Sequence, residues 1–181
     1  MKKSDIKKQM ITKELANYIL ENGLQSASLR NLARAANTSD RMLLHYFKDK
    51  DELLSEVLTF LSDELISIIE SSRTERMPFN ELVPFLSKTV KDPLIRPYLQ
   101  LWLGFIGIAS KKEEPYYSIA RKICDGLYAF FKRAIYAEQE EDIEQLAAFA
   151  LAAVEGMVLL DALGKDAEIE KALQGVRLLS K

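Results

Sequence analysis

Apolar residues recur at three- and four-residue steps along almost the whole chain, the period of helices with one buried face. Ile11, Leu15, Tyr18 and Ile19 share such a face, which predicts a first helix from Ser4, read as its N-cap, to Asn22, with Asn22-Gly23 as a stop. Leu29, Leu32, Ala33 and Ala36 predict a short helix capped by Ser28. Asn37, Thr38 and Ser39 favour turns and caps, and a second short helix, Asp40 to Tyr46, follows. Asp49 caps a long helix from Lys50 to Ser72, with Leu53, Leu54, Val57, Leu58, Leu61, Leu65, Ile68 and Ile69 on its apolar side. Further helices are expected at 79–91, 93–110, 115–137, 143–163 and 166–179, with a linker at 72–78. Pro84 falls in a first turn or at a kink, and Pro115 opens its helix. No segment alternates Val, Ile and Thr as a half-buried strand does. The expectation is an all-α protein of about nine helices.

Charge distribution adds to this picture where the total does not. The net charge is -2, yet residues 1–50 hold ten Lys/Arg against five acids and carry +5, leaving -7 on the rest. A basic front suits a polyanion. One cysteine, Cys124, excludes an intrachain disulfide, fits a reducing cytoplasm and is read as a small buried or half-buried residue. One histidine, His45, has no His or Cys neighbour, so no metal site is expected. No apolar stretch is read as long enough for a membrane span. No cofactor is expected.

The segment Gly23 to Leu54 sets helix, polar turn and helix in the order of a helix-turn-helix unit. In such a unit the second helix enters the DNA major groove and its first residues meet base edges. Those residues are Asp40, Arg41 and Met42, after Ser39. Arg41 could give two hydrogen bonds to a guanine edge. Arg30, in the first turn of the preceding helix after Ser28, is a second candidate reader. His45, Tyr46, Lys48 and Lys50 suit phosphate oxygens, as do the amides at the helix start after Asp49. On an ordinary helix the same arginines and lysines would be solvated charges, Tyr46 a rim residue of the core, and His45 merely exposed.

Gly23, Ser28-Leu29, Leu32-Ala33, Ala36, Ser39, Leu43, Tyr46-Phe47, Lys50-Asp51 and Leu53 fall at the spacing of the N-terminal signature of TetR-family transcriptional regulators, which the chain resembles. The resemblance implies a DNA-binding domain at 1–50, an effector-binding and dimerisation domain at 51–181, a homodimer on a double-stranded operator, and repression released by a small-molecule effector. It also implies a phosphate- or cap-supporting role for Lys50, and Ser28 and Ser39 are counted among the DNA-contact candidates. Two departures stand out. Asn37-Thr38 replaces the usual Gly-Val, with Asn able to adopt the left-handed conformation, and Leu44 replaces a frequent phosphate-contacting Tyr.

Residues 79–136 are rich in aromatics. Tyr98, Trp102, Phe105 and Tyr128 are candidates for the wall of an effector pocket, with core filling as the other reading. Gly104 and Gly107, at about 1 kcal/mol each relative to Ala in a helix, allow close packing or leave room for a ligand. The helices at 116–136 and 143–163 are candidates for a dimer interface, a four-helix bundle between subunits. Leu146, Ala147, Phe149, Ala150, Ala153, Val154, Gly156, Met157 and Leu160 form the apolar face in question, unless that face is internal to one chain. An enzyme would need a nucleophile–base pair, a metal set or a phosphate loop, and the sequence offers none. The alternative is a protein of this fold that has lost DNA regulation and acts through a protein partner or ligand alone.

Overall fold

The computed structural model describes residues 3–72 and 75–178. Among them are nine α-helices: α1 Lys3–Asn22, α2 Leu29–Ala35, α3 Asp40–Tyr46, α4 Lys50–Ser71, α5 Phe79–Thr89, α6 Arg96–Ala109, α7 Tyr116–Ala134, α8 Ile143–Ala162 and α9 Asp166–Leu178. The all-α reading holds. Arg73 and Thr74 of the expected linker, and Leu179 at the expected end of the last helix, lie outside the described residues.

Several boundaries differ from the expectation. α1 begins at Lys3, so Ser4 lies inside it and is not its cap. α6 begins at Arg96, not at Pro93, which puts Pro97 in its first turn, where a missing N–H costs nothing. Pro84 is the sixth residue of α5, past the first turn, and withholds the N–H that the Asn80 carbonyl would receive. α7 stops at Ala134 because Ile135–Tyr136 (β2) pairs in parallel with Met77–Pro78 (β1). That two-stranded pairing is the strand the periodicity did not show.

The chain forms two compact units, one of residues 1–64 and 101–123, the other of 65–100 and 124–181. In the first, α1 packs on α2 and α2 on α3. Ile11, Leu15, Ala16, Ile19, Leu32, Ala33, Leu43, Phe47, Leu53, Leu54, Val57 and Leu58 are buried in it. These are the positions the helical period selects, which is why three short elements hold their places. Full burial of a Leu or Phe contributes about 1.5–3 kcal/mol.

In the second unit, α5 packs on α8 and α9, and α8 on α9. Leu82, Val83, Leu86, Phe130, Ile135, Ala147, Ala150, Met157 and Ile169 lie in its core. Phe79 stacks on Phe149, ring centroids 5.1 Å apart. α8 ends in a left-handed Gly164 (φ 67), with Lys165 N–H donating to Leu160 C=O over 2.9 Å.

Most of the apolar face read on 143–163 is internal. Ala147, Ala150 and Met157 are buried, and Leu146, Ala153, Val154 and Leu160 pack against that core. The stripe of α8 left exposed is formed by Ala148, Phe149, Ala152, Gly156 and Leu159 and continued by Leu163, and it shares only Phe149 and Gly156 with the face read from the sequence. A Cβ added at Gly156 would meet nothing within 4 Å. By length and composition alone, Glu140–Ala162 is apolar enough to cross a membrane, so the expected lack of such a stretch does not hold. An Ala-rich helix with one side in a core and the other open reaches the same mean hydropathy.

Candidate nucleic-acid interface

Ser28 caps α2: its Oγ accepts the amide of Asn31 over 3.2 Å. Asn31 holds the approach to that cap, its Nδ2 donating to the Ser26 carbonyl over 2.9 Å. At the other end of α2, Ala36 is the C-cap and Asn37 takes φ 49. Asn37 N–H donates to Arg34 C=O (3.1 Å) and Thr38 N–H to Ala33 C=O (2.9 Å). This is the paired closure of a Schellman motif, with Asn in the position usually filled by Gly. It reverses the chain in three residues and delivers Ser39 as the cap of α3, where its Oγ accepts Met42 N–H over 3.2 Å.

The anchoring of α3 follows from its apolar minority. Leu43 is 0% exposed and Phe47, its C-cap, 1%. Its other residues from Asp40 to His45 are exposed, and Tyr46 is half-buried. Arg41 is exposed and makes no hydrogen bond or ion pair with the described residues, so its five donors are free. Arg30 is likewise exposed and unpaired. His45 meets Tyr46 edge to face, with centroids 5.2 Å apart. Ser28, Ser39 and Lys48 are exposed, and Lys50 is half-buried at the start of α4. Met42 and Leu44 are 41% and 45% exposed. Sequence reasoning treated Leu44 only as a lost hydroxyl, yet an exposed apolar side chain on this helix can meet a thymine methyl.

The junction between α3 and α4 carries a second cap. Asp49 Oδ1 accepts Glu52 N–H (2.8 Å), and Glu52 Oε2 accepts Lys48 N–H (2.6 Å). Those two amides are therefore occupied and are not available to a phosphate. Glu52 was missed in the sequence, although an acid three residues after a capping Asp is a readable signal.

The four aromatic candidates divide between the units. Trp102 and Phe105 belong to the first, Tyr98 and Tyr128 to the second. Trp102 and Phe105 lie 6.1 Å apart by ring centroid, and Phe105, 1% exposed, meets Tyr116 at 6.2 Å. Tyr128 Oη donates to Glu144 C=O over 3.2 Å. α6 itself is buried only at Phe105 and Ala109, and Ile106 and Ile108 are exposed. A helix of almost wholly apolar sequence is thus not buried on most sides. Apolar composition reports a tendency to leave water, not which surface covers the helix.

A cavity of about 700 Å³ in the first unit lies between α1 and α4, with Ile6, Met10, Thr12, Thr59, Phe60 and Lys122 among its lining. Thr59 Oγ1 is buried without a hydrogen-bond partner among the described residues.

Cys124 is exposed, contrary to the half-buried reading. Partial burial and the nearby Glu155 and Asp125 carboxylates raise its thiol pKa, so it is not an activated nucleophile. Among the described residues no cluster of three or more His, Cys, Asp or Glu is placed to hold a metal ion.

The family profile described as "Bacterial regulatory proteins, tetR family" matches residues 11–57. The chain is 27% identical over 161 residues to the HTH-type transcriptional regulator PksA of Bacillus subtilis, covering 84% of this chain and 77% of PksA. It is 26% identical over 168 residues to the HTH-type transcriptional regulator BetI of Serratia proteamaculans, covering 87% and 82%. In fold it matches the crystal structure of a TetR-family transcriptional regulator from Cytophaga hutchinsonii, with TM-score 0.71, 18% identity and coverage of 97% and 94%.

Proposed function

Because the chain belongs to the TetR family of helix-turn-helix transcriptional regulators, and is a DNA-binding regulator on that ground, we propose that it is a repressor whose operator is read by the first turn of α3. The observation that carries this reading is Arg41. A cap at Ser39 presents it at the start of a helix that is buried on one side only, and among the described residues no carboxylate engages it. Asp40 and Met42 flank it, and Arg30 is the second reader. Ser28, Ser39, His45, Tyr46, Lys48 and Lys50 are assigned to phosphates, with residues 1–50 as the DNA-binding domain and 51–181 as the regulatory one.

Regulators of this family form dimers, bind small-molecule effectors and are not enzymes. We assign dimerisation to α8, whose exposed stripe of small and apolar residues suits a second copy. Effector binding is assigned to the aromatic segment around Trp102 and Phe105, which lie together in the first unit. α7, named beside α8 in the sequence reading, presents mostly polar residues on its exposed side, among them Arg121, Lys122, Asp125 and Arg133, and would contribute to the rim. The cytoplasm is its place of work. The reading in which DNA regulation has been lost is not favoured, since the capped α3 and its exposed arginine are intact.

Selection of bound duplexes from fragmented genomic DNA, run with the parent and with Arg41→Ala, tests this. A palindrome enriched by the parent and not by the variant is the expected result. Equal enrichment by both would remove direct reading by Arg41. No enrichment by either, after refolding to strip any ligand, would remove the repressor reading.

A further inference from the structure

One cation from α1 reaches the junction between α3 and α4. Lys8 Nζ donates to Glu56 Oε1 and lies 3.7 Å from Glu52 Oε1. It also sits 4.8 Å from the centroid of the Phe47 ring, the C-cap of α3. Glu52 spends its other oxygen on the Lys48 amide. A chain of contacts thus runs from α1 through two carboxylates of α4 to the backbone that leads out of the recognition helix. All of it lies in the first unit.

Each link has a physical reason. Glu52 and Glu56 are one turn apart on α4, where like charges repel. Lys8 between them removes that repulsion and faces the negative side of an aromatic ring. Its side chain is 29% exposed and those of the two glutamates 39% and 37%, so the charges are partly shielded from water and act more strongly than fully solvated ones. Without Lys8, Glu52 relieves the repulsion by turning to water, and the Lys48 amide loses its acceptor. The uncompensated Glu52 carboxylate would then also lie beside the basic segment, within the reach of unscreened charge.

We propose that Lys8 and Glu52 are positioning residues for DNA binding. Lys8 holds Glu52, Glu52 holds the Lys48 amide, and the segment Lys48–Lys50 thereby keeps the pitch in which its side chains meet phosphates. Neither residue touches DNA. The proposal rests on the DNA-binding reading above.

The test pairs two measurements on the full chain: amide hydrogen exchange by NMR, and affinity for the duplex selected by the parent across a range of salt. Lys8→Met is expected to speed exchange at the Lys48 amide about tenfold, the loss of one charge-assisted hydrogen bond, and to leave amides in the middle of α2 unchanged. It is expected to weaken duplex binding by a similar factor with the salt slope unaltered. Glu52→Gln should do the same to the amide, and Lys8→Arg should keep both properties. An unchanged Lys48 exchange rate in Lys8→Met overturns the proposal, and so does faster exchange spread evenly over α1 to α4. A salt slope lowered by about one unit would make Lys8 a phosphate contact, which also overturns it. Tight binding by the parent with unchanged affinity in Lys8→Met defeats this proposal alone. A parent that binds no duplex defeats the DNA-binding reading and this proposal together.

Discussion

The amide of Thr38 donates to the carbonyl of Ala33 over 2.9 Å, and this bond sets the angle at which the recognition helix leaves α2. It closes only if the residue between, Asn37, holds φ near 49. Asn37→Gly should leave stability unchanged or slightly higher, since Gly reaches this region without strain. Asn37→Val should cost about 1–2 kcal/mol, because a β-branched residue is strained there. For a chain of this size that lowers the melting temperature by about 2–4 °C per kcal/mol. Thermal unfolding of the two variants decides it, and a Val variant as stable as the parent would mean that the turn can rebuild itself.

Lys50 stands at the start of α4 with no ion pair among the described residues. If it meets a phosphate, Lys50→Ala should weaken binding to every duplex alike and lower the salt slope by about one unit. Titrations at several salt concentrations read this directly. An unchanged slope would assign Lys50 to local charge balance with Asp51.

The open stripe of α8 predicts self-association. The parent should sediment at twice the chain mass, and Leu159→Glu, at a side chain now 51% exposed, should sediment at the single mass without losing helical content. A parent at single mass would remove α8 as an interface.

Two exposed ion pairs give stability an acid limb. The Lys132 ammonium, by hydrogen bond and by charge, holds Glu144 below its ordinary pKa, and Lys91 does the same for Asp166. A carboxylate whose folded pKa is depressed stabilises above its unfolded pKa and loses that contribution as pH falls through the folded one. Asp166→Asn should therefore lower the unfolding midpoint at neutral pH, slightly because both partners are solvated, and the gap from the parent should close below the carboxylate range. A gap that persists in acid would point to packing and not to charge.

How far the sequence could be read depended on the range of each interaction. Ser28 and Ser39 were legible as caps because a cap and its partner lie three residues apart, and the faces of α1 to α4 were legible because a period repeats. The parallel pairing of Met77 with Ile135 was not, since two residues without alternation leave no local trace and the partner is 58 positions away. The two sides of α8 failed for another reason: Ala147 and Ala148 look alike in a sequence, and only the neighbouring α5 and α9 decide which is covered. At the candidate site the same division holds. Arg41 follows from its place after a cap, whereas Lys8 enters through a contact with Glu56, 48 residues on.

Cys124, the one thiol in the chain, is exposed on α7. That makes the protein a ready-made spectroscopic ruler. A spin label or fluorophore attaches at a single known point with no residue added or removed, most readily at mildly alkaline pH because the neighbouring carboxylates and partial burial disfavour the thiolate. In a symmetric dimer the two labels report one distance, and its change between DNA-bound and effector-bound samples would measure how far the subunits turn in the act of regulation.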